Sequence, residues 1–102
     1  MYYVYFLFLK DETIYKGSTD NLKRRVGEHK RGKVRSTRNK RPFVVLGYEA
    51  YQCQSDAERR ERFLKTTEGR RLFRQQYRDI LSRLAEEWQS GRMQRTANAL
   101  SS

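Results

Sequence analysis

Every residue from Tyr2 to Leu9 is aliphatic or aromatic, and no other segment constrains the fold of this chain as strongly. A strand with one wetted face alternates apolar with polar residues, whereas a strand apolar on both faces must be covered on both sides. The run is too short to cross a bilayer, and it has neither a basic leader nor a small-residue cleavage site. It therefore reads as the central strand of a cytoplasmic protein, with a covering layer on each face.

The rest of the chain supplies that cover. Lys10, Asp11 and Glu12 form a polar turn into a second strand, Thr13 to Ser18. Asp20 is expected to cap a first helix that Gly32 ends. Lys33 to Pro42 is a basic loop, and Pro42 introduces a third strand, Phe43 to Tyr51. Ser55 with Glu58 reads as a capping box opening a second helix that runs to about Lys65. Thr67 can cap a third helix, in which Phe73, Tyr77, Ile80, Leu81, Leu84 and Trp88 recur at helical spacing. Arg92 to Ser102 has no apolar period and is expected to be frayed or disordered. The reading is one domain over residues 1–90 with a tail over 91–102. Its order is β-β-α-β-α-α, an α/β fold of the α+β type: a small three-stranded, mainly antiparallel sheet flanked by helices.

Charge narrows the partners. The chain carries a formal net charge of +11, and ten of its Lys and Arg residues fall between Lys23 and Arg41 against the single acid Glu28. Such local excess favours a surface for a polyanion, nucleic acid above all, over general solubilisation. The basic stretches are not paired with a long apolar helix face, so a membrane surface fits less well. Lys16, Lys30, Arg31, Lys33, Arg35, Arg38, Lys40 and Arg41 are the candidate phosphate contacts, and Arg59, Arg60, Arg62, Arg70 and Arg71 are candidates to extend them. Cys53 and His29 are each the only residue of their type. An intrachain disulfide is therefore impossible, and a Cys/His zinc site is excluded. Cys53 and Trp88 read as packing residues.

Three polar residues occupy positions where the helical period calls for apolar ones. Leu22, Arg25, Val26 and His29 share one stripe, and Glu61 shares a face with Ala57 and Leu64. Burying such groups is costly unless each is paired with an internal partner or a ligand. Two strand tyrosines add to the pattern. If Leu9 pairs with Thr13, Tyr5 and Tyr15 face the same side as diagonal neighbours, and a one-residue slip sends them to opposite faces. Each feature also has a plain structural reading. Strand tyrosines ordinarily pack, Gly17 can permit a bulge or a close helix approach, a lone histidine is often a hydrogen-bonded structural residue, and Arg25 and Glu61 could simply pair with each other.

Taken in order, Tyr3-Val4-Tyr5, Tyr15-Lys16-Gly17, Asn21-Leu22-x-x-Arg25-Val26-x-x-His29 and Ala57-x-x-x-Glu61 resemble the motifs of the GIY-YIG nuclease superfamily. Ser36-Thr37-Arg38-x-x-Arg41-Pro42 and Phe63-Leu64-Lys65 through Gly69-Arg70 resemble its small single-domain bacterial members. The resemblance spans Tyr2 to Tyr77. Two departures stand out: Lys16 replaces a branched apolar residue of the second signature, and Tyr3 replaces a glycine of the first.

The resemblance implies an endonuclease that hydrolyses phosphodiester bonds in DNA with Mg²⁺ or Mn²⁺, acting in repair or recombination. By motif, Tyr5, Tyr15, Arg25, His29 and Glu61 are the catalytic residues and Glu61 is the metal ligand. The residue types suit the reaction, in which water attacks phosphorus while negative charge grows on the phosphoryl and leaving oxygens. The alternatives are a catalytically weak DNA- or RNA-binding module that keeps the fold, and a basic structural protein of a ribonucleoprotein. No separate sequence-reading domain is evident, so selectivity is expected from DNA shape or from a targeting protein partner. Oligomeric state is left open.

Overall fold

The apolar run becomes strand β1 (Tyr2–Phe8), paired antiparallel with β2 (Ile14–Thr19) on one side and β3 (Val44–Tyr51) on the other. The structure is a computed structural model and describes residues 1–89. As the middle strand of the order β2-β1-β3, β1 is buried from Val4 through Phe8. Val4 and Phe6 point to one face, where they pack with Ala57, Leu64 and Phe73. Phe8 continues that face against Val44, Leu84 and Trp88. Tyr5 and Leu7 point to the other face and pack with Leu22, Val26 and Phe43. Complete burial of a side chain such as Phe6 contributes on the order of 2 to 3 kcal/mol. The covered central strand is thus the main source of cohesion.

Helix α1 (Leu22–Lys30) covers the Tyr5 face, and α2 (Gln54–Leu64), α3 (Thr67–Gln76) and α4 (Arg78–Gln89) cover the other. The three-stranded antiparallel α+β arrangement is the one expected from sequence. Local boundaries differ in four places, one of them the cap of α3, which is Thr66 and not Thr67, since the Thr66 hydroxyl accepts from the Gly69 amide at 3.0 Å. Asn21, not Asp20, caps α1: Thr19 Oγ1 accepts from the Asn21 amide at 3.1 Å, and the Asn21 side chain then accepts from the Arg24 amide at 3.0 Å. Asp20 instead forms an exposed pair with Arg24. Helix α2 begins at Gln54 with Cys53 at its cap and no side-chain cap bond, so Ser55 lies inside the helix and no capping box forms.

The last difference is a break. The single long helix expected from Thr67 onward divides at Tyr77, because its apolar stripe serves two separate patches of the sheet. Phe73 and Tyr77 pack on Phe6, whereas Ile80, Leu81, Leu84 and Trp88 pack around Phe8 and Val44. Trp88 is therefore a packing residue, while Cys53 is exposed and is not. The expectation for residues 91–102 falls outside the described residues.

Candidate active site

The hairpin sets the geometry of the two tyrosines. The Leu9 amide donates to Thr13 O at 2.9 Å, which fixes the even register: Tyr5 stands opposite Gly17 and Leu7 opposite Tyr15. Tyr5 and Tyr15 consequently share a face, with ring centroids 6.1 Å apart. Gly17 is required by this arrangement rather than by a bulge. A Cβ at Gly17 would lie 2.6 Å from the Tyr5 hydroxyl oxygen, so only glycine lets that phenol pass across β2.

The phenol passes across to reach His29. Helix α1 rests on the sheet through Leu22, Val26 and a fully buried His29, whose Nε2 lies 2.8 Å from the Tyr5 hydroxyl. On its other side, Nδ1 lies 2.8 Å from Thr37 Oγ1, and the Thr37 hydroxyl donates to Val34 O at 3.5 Å. One assignment satisfies all three contacts. Nδ1–H donates to Thr37, and Nε2 accepts from the Tyr5 hydroxyl. Burial, and next the nearby Arg25 charge, push His29 down to about 4, so the imidazole is neutral at neutral pH. Burial, reinforced by Tyr15 and opposed by Arg25, holds the Tyr5 phenol above its ordinary range. Tyr5 is therefore a neutral donor. Thr37 belongs to the Ser36-Thr37-Arg38 stretch, and its role is not visible from sequence, because nothing local marks a loop threonine as the partner of a helical imidazole.

Arg25 lies beside this cluster, close enough to act electrostatically on both Tyr5 and Tyr15. One arm of its guanidinium donates to Glu28 Oε1 at 3.0 Å, the main cause that holds its proton more tightly than usual. Arg25 also lines a cavity of about 450 Å³ between the starts of α1 and α2, with Asp20, Gln54 and Glu58 on its walls. Glu61 projects from α2, with its side chain 20% exposed, and its Oε2 pairs with Lys65 Nζ at 2.6 Å. The reading of Arg25 and Glu61 as partners of each other is thus excluded, since each pairs within its own helix. Glu61 makes no contact with the tyrosine cluster comparable to that of His29. Lys65, its ion-pair partner, lines a second cavity together with Tyr15.

A divalent cation requires hard oxygen donors, and Glu61 offers one carboxylate held by a single ion pair to a half-exposed lysine. No cluster of three or more His, Cys, Asp or Glu side chains occurs among the described residues. Glu61 thus fits an ion such as Mg²⁺, which takes few protein ligands and keeps several waters.

The basic segment follows α1 and contains a short 3₁₀ turn, Arg38–Lys40. Arg41 secures it by donating to Lys30 O at 2.9 Å and Arg38 O at 2.8 Å, and Lys40 pairs with Asp11. Arg31, Lys33, Arg35 and Arg38 are exposed and form no ion pair among the described residues. Lys16 departs from the expectation of a surface phosphate contact. It is only 9% exposed, and its Nζ donates to Leu64 O at 3.0 Å over the Phe73 ring. A cation at the carboxyl end of α2 meets the negative end of the helix dipole, so Lys16 ties β2 to α2.

Comparisons with known proteins place the chain among relatives. The model of the GIY-YIG catalytic domain matches residues 1–77. Over 66 residues the chain is 38% identical to a UPF0213 protein of Staphylococcus haemolyticus, covering 64% of this chain and 80% of that one. Over 67 residues it is 42% identical to a UPF0213 protein of Pediococcus acidilactici, covering 63% and 68%. Among solved structures it resembles the solution NMR structure of the UPF0213 protein BH0048 from Bacillus halodurans. That match has 31% identity and a TM-score of 0.47, and covers 72% of this chain and 82% of that one.

Proposed function

The chain belongs to the GIY-YIG family, a nuclease superfamily, and from that premise we propose that it is a divalent-metal-dependent endonuclease cutting phosphodiester bonds in DNA. The observation that carries this reading is the unequal state of the two phenols. Tyr5 is sealed against a neutral His29, whereas Tyr15 is partly open and borders a cavity. Tyr5 and His29 position the pair. Tyr15 acts as a phenolate supported by the nearby Arg25 cation, taking the proton of an attacking water and becoming a neutral phenol. Arg25 offers the phosphate the edge of its planar guanidinium that is not bonded to Glu28, and Glu61 is the residue that would hold Mg²⁺ or Mn²⁺ in place of its pair with Lys65. Bound there, the cation would offset the charge that grows on the phosphoryl oxygens. Arg31, Lys33, Arg35 and Arg38 hold neighbouring backbone phosphates, and such binding weakens as salt rises. Repair or recombination of DNA is the setting such an activity serves, with a targeting protein or DNA shape supplying selectivity.

A second reading rests on the Glu61–Lys65 ion pair, which already occupies the acid. If Lys65 never yields, the domain is a nucleic-acid-binding module without turnover. One assay separates the two. The full chain is incubated with supercoiled and branched DNA in Mg²⁺ or Mn²⁺, beside the Glu61→Ala variant. The endonuclease reading expects nicking by the parent and none by the variant, with equal DNA affinity. Binding without nicking by the parent selects the module, and full nicking by the variant removes Glu61 from the chemistry.

A further inference from the structure

A second cavity, of about 470 Å³, opens along the outer edge of β2, between the hairpin and α3. Tyr15, Lys16, Lys65, Arg70, Phe73 and Arg74 face it. Four of these six are cations, and no carboxylate lines the cavity. Lys65 has one counter-ion, Glu61, and Lys16 spends one donor on the Leu64 carbonyl, leaving two of the three on its ammonium. The guanidinium groups of Arg70 and Arg74 make no hydrogen bond or ion pair among the described residues. Arg71 on the same helix behaves differently, donating to Glu68 at 2.6 Å on the outer side. Helix α3 therefore supplies its outward arginine with a carboxylate and leaves the two arginines facing the cavity without one.

The fold holds this repulsive group together. A Cβ at Gly69 would lie 1.9 Å from Phe63 O, so the start of α3 is pressed directly onto the end of α2. Thr66 fixes the corner: its hydroxyl donates to Phe63 O at 2.6 Å and accepts from the Gly69 amide at 3.0 Å. One turn apart on α3, Arg70 and Arg74 are then carried to the β2 edge beside the buried Lys16. The neighbouring positive charges of Arg70, Arg74 and Lys65 add to burial in loosening the proton on Lys16. Cations gathered in one concavity repel one another until an anion enters.

We propose that this cavity is a phosphate site for the nucleic acid strand, holding a phosphate group next to the one presented to Tyr15. The inference rests on the endonuclease reading for the identity of the strand, since Tyr15 belongs to both sites. It adds a place where the strand turns around the β2 edge, away from the basic segment that follows α1. It also regroups the arginines that the sequence set together. Arg70, joined by Arg74, is a ligand residue, whereas Arg59 and Arg71 are neutralised by Asp56 and Glu68.

The test compares two double variants of the full chain that remove equal charge. Affinity for a short fluorescent DNA oligonucleotide is measured by anisotropy in EDTA across a salt series, so that the result does not depend on cutting. Arg70→Gln with Arg74→Gln is expected to weaken binding about tenfold and to lower the slope of log K against log salt by about one, the signature of one lost phosphate contact. Arg59→Gln with Arg71→Gln is expected to leave affinity within about twofold, as surface pairs contribute little. Oligonucleotides with and without a 5′-terminal phosphate identify the source. Loss confined to the phosphorylated strand assigns the cavity to a chain end, and equal loss assigns it to an internal diester. Parent-like affinity in the first variant, or equal weakening in both, would overturn the site. Failure of the endonuclease reading would appear separately, as absence of nicking by a parent that still shows this difference in binding.

Discussion

The sheet carries a tyrosine cluster on each face, and the two are built on opposite electrostatic plans. On the face covered by α2 to α4, Glu49 accepts from Tyr51 at 2.7 Å, from Arg60 at 3.0 Å and from Tyr77 at 3.3 Å. Burial alone would raise its carboxyl, but the donors outweigh burial and hold it below the ordinary carboxylate range. Within this cluster the Glu49 carboxylate is matched by the Arg60 guanidinium, and β3 is clamped to α2 and α3. On the face covered by α1, Tyr5 ends on a neutral imidazole, and among the described residues no carboxylate bonds to the Tyr5 or Tyr15 hydroxyl. Arg25 faces that cluster with one arm engaged by Glu28. The first cluster is complete in itself. The second is complete in hydrogen bonds but leaves Tyr15 and a guanidinium edge open to a ligand, and the difference marks which tyrosines serve structure and which serve chemistry.

The largest expected effect breaks the two clusters apart by activity. Tyr15→Phe should lower the rate of DNA nicking by about 100-fold or more, the usual scale for loss of a positioned proton acceptor, with DNA affinity and thermal stability unchanged. Tyr51→Phe should leave the rate at the parent value. Initial nicking rates at saturating DNA measure both. Undiminished cutting by Tyr15→Phe, or an equal loss in Tyr51→Phe, would erase the distinction.

The next effect is in stability and comes from His29. Its pKa falls from 6.5 to about 4 on folding, so between those values the unfolded chain binds a proton that the native chain does not. Stability must therefore fall as pH drops from 6.5 toward 4, by roughly 3 kcal/mol across the window. Urea unfolding of the parent and of His29→Gln at a series of pH values tests this. The variant is expected to be less stable at neutral pH but flat through that window, and a parent curve already flat there would show that His29 is not held neutral.

What the sequence makes legible depends on distance along the chain. The apolar run from Tyr2 to Leu9 announced a central strand because each residue carries its own evidence of burial. The polar turn Lys10-Asp11-Glu12 admitted an even pairing and left the alternative register open, and only the Leu9–Thr13 hydrogen bond decides between them. Arg25, His29 and Glu61 were visible as misfits in helical stripes, but their partners were not. Thr37 sits eight residues beyond His29 in a loop, and the space that Gly17 provides exists only once Tyr5 lies opposite. Lys16 looked like a surface cation because nothing in β2 discloses that the carboxyl end of α2, 48 residues later, will rest on it. The break at Tyr77 was hidden for the same reason, since one unbroken period can serve two patches of a sheet.

The smallest expected effect sharpens the comparison from the closed side. Tyr51→Phe removes one of the donors to Glu49 while Arg60 and Tyr77 remain, so the loss should be about 1 kcal/mol, as for a single hydrogen bond to a partly buried charge. Its pH dependence identifies the source. Glu49 has a depressed pKa in the native chain, so its contribution is present above the ordinary glutamate value of 4.5 and is lost as pH falls through the lower native value. With one donor gone the depression shrinks, and the difference between parent and variant should narrow below pH 4.5. It should stay constant through the higher window that belongs to His29. Urea unfolding at pH 7, at pH 5 and in the acid limb resolves the two. A gap between parent and Tyr51→Phe that closes already between 6.5 and 4.5 would mean that the two faces titrate as one unit, and the division between a structural and a chemical cluster would fail.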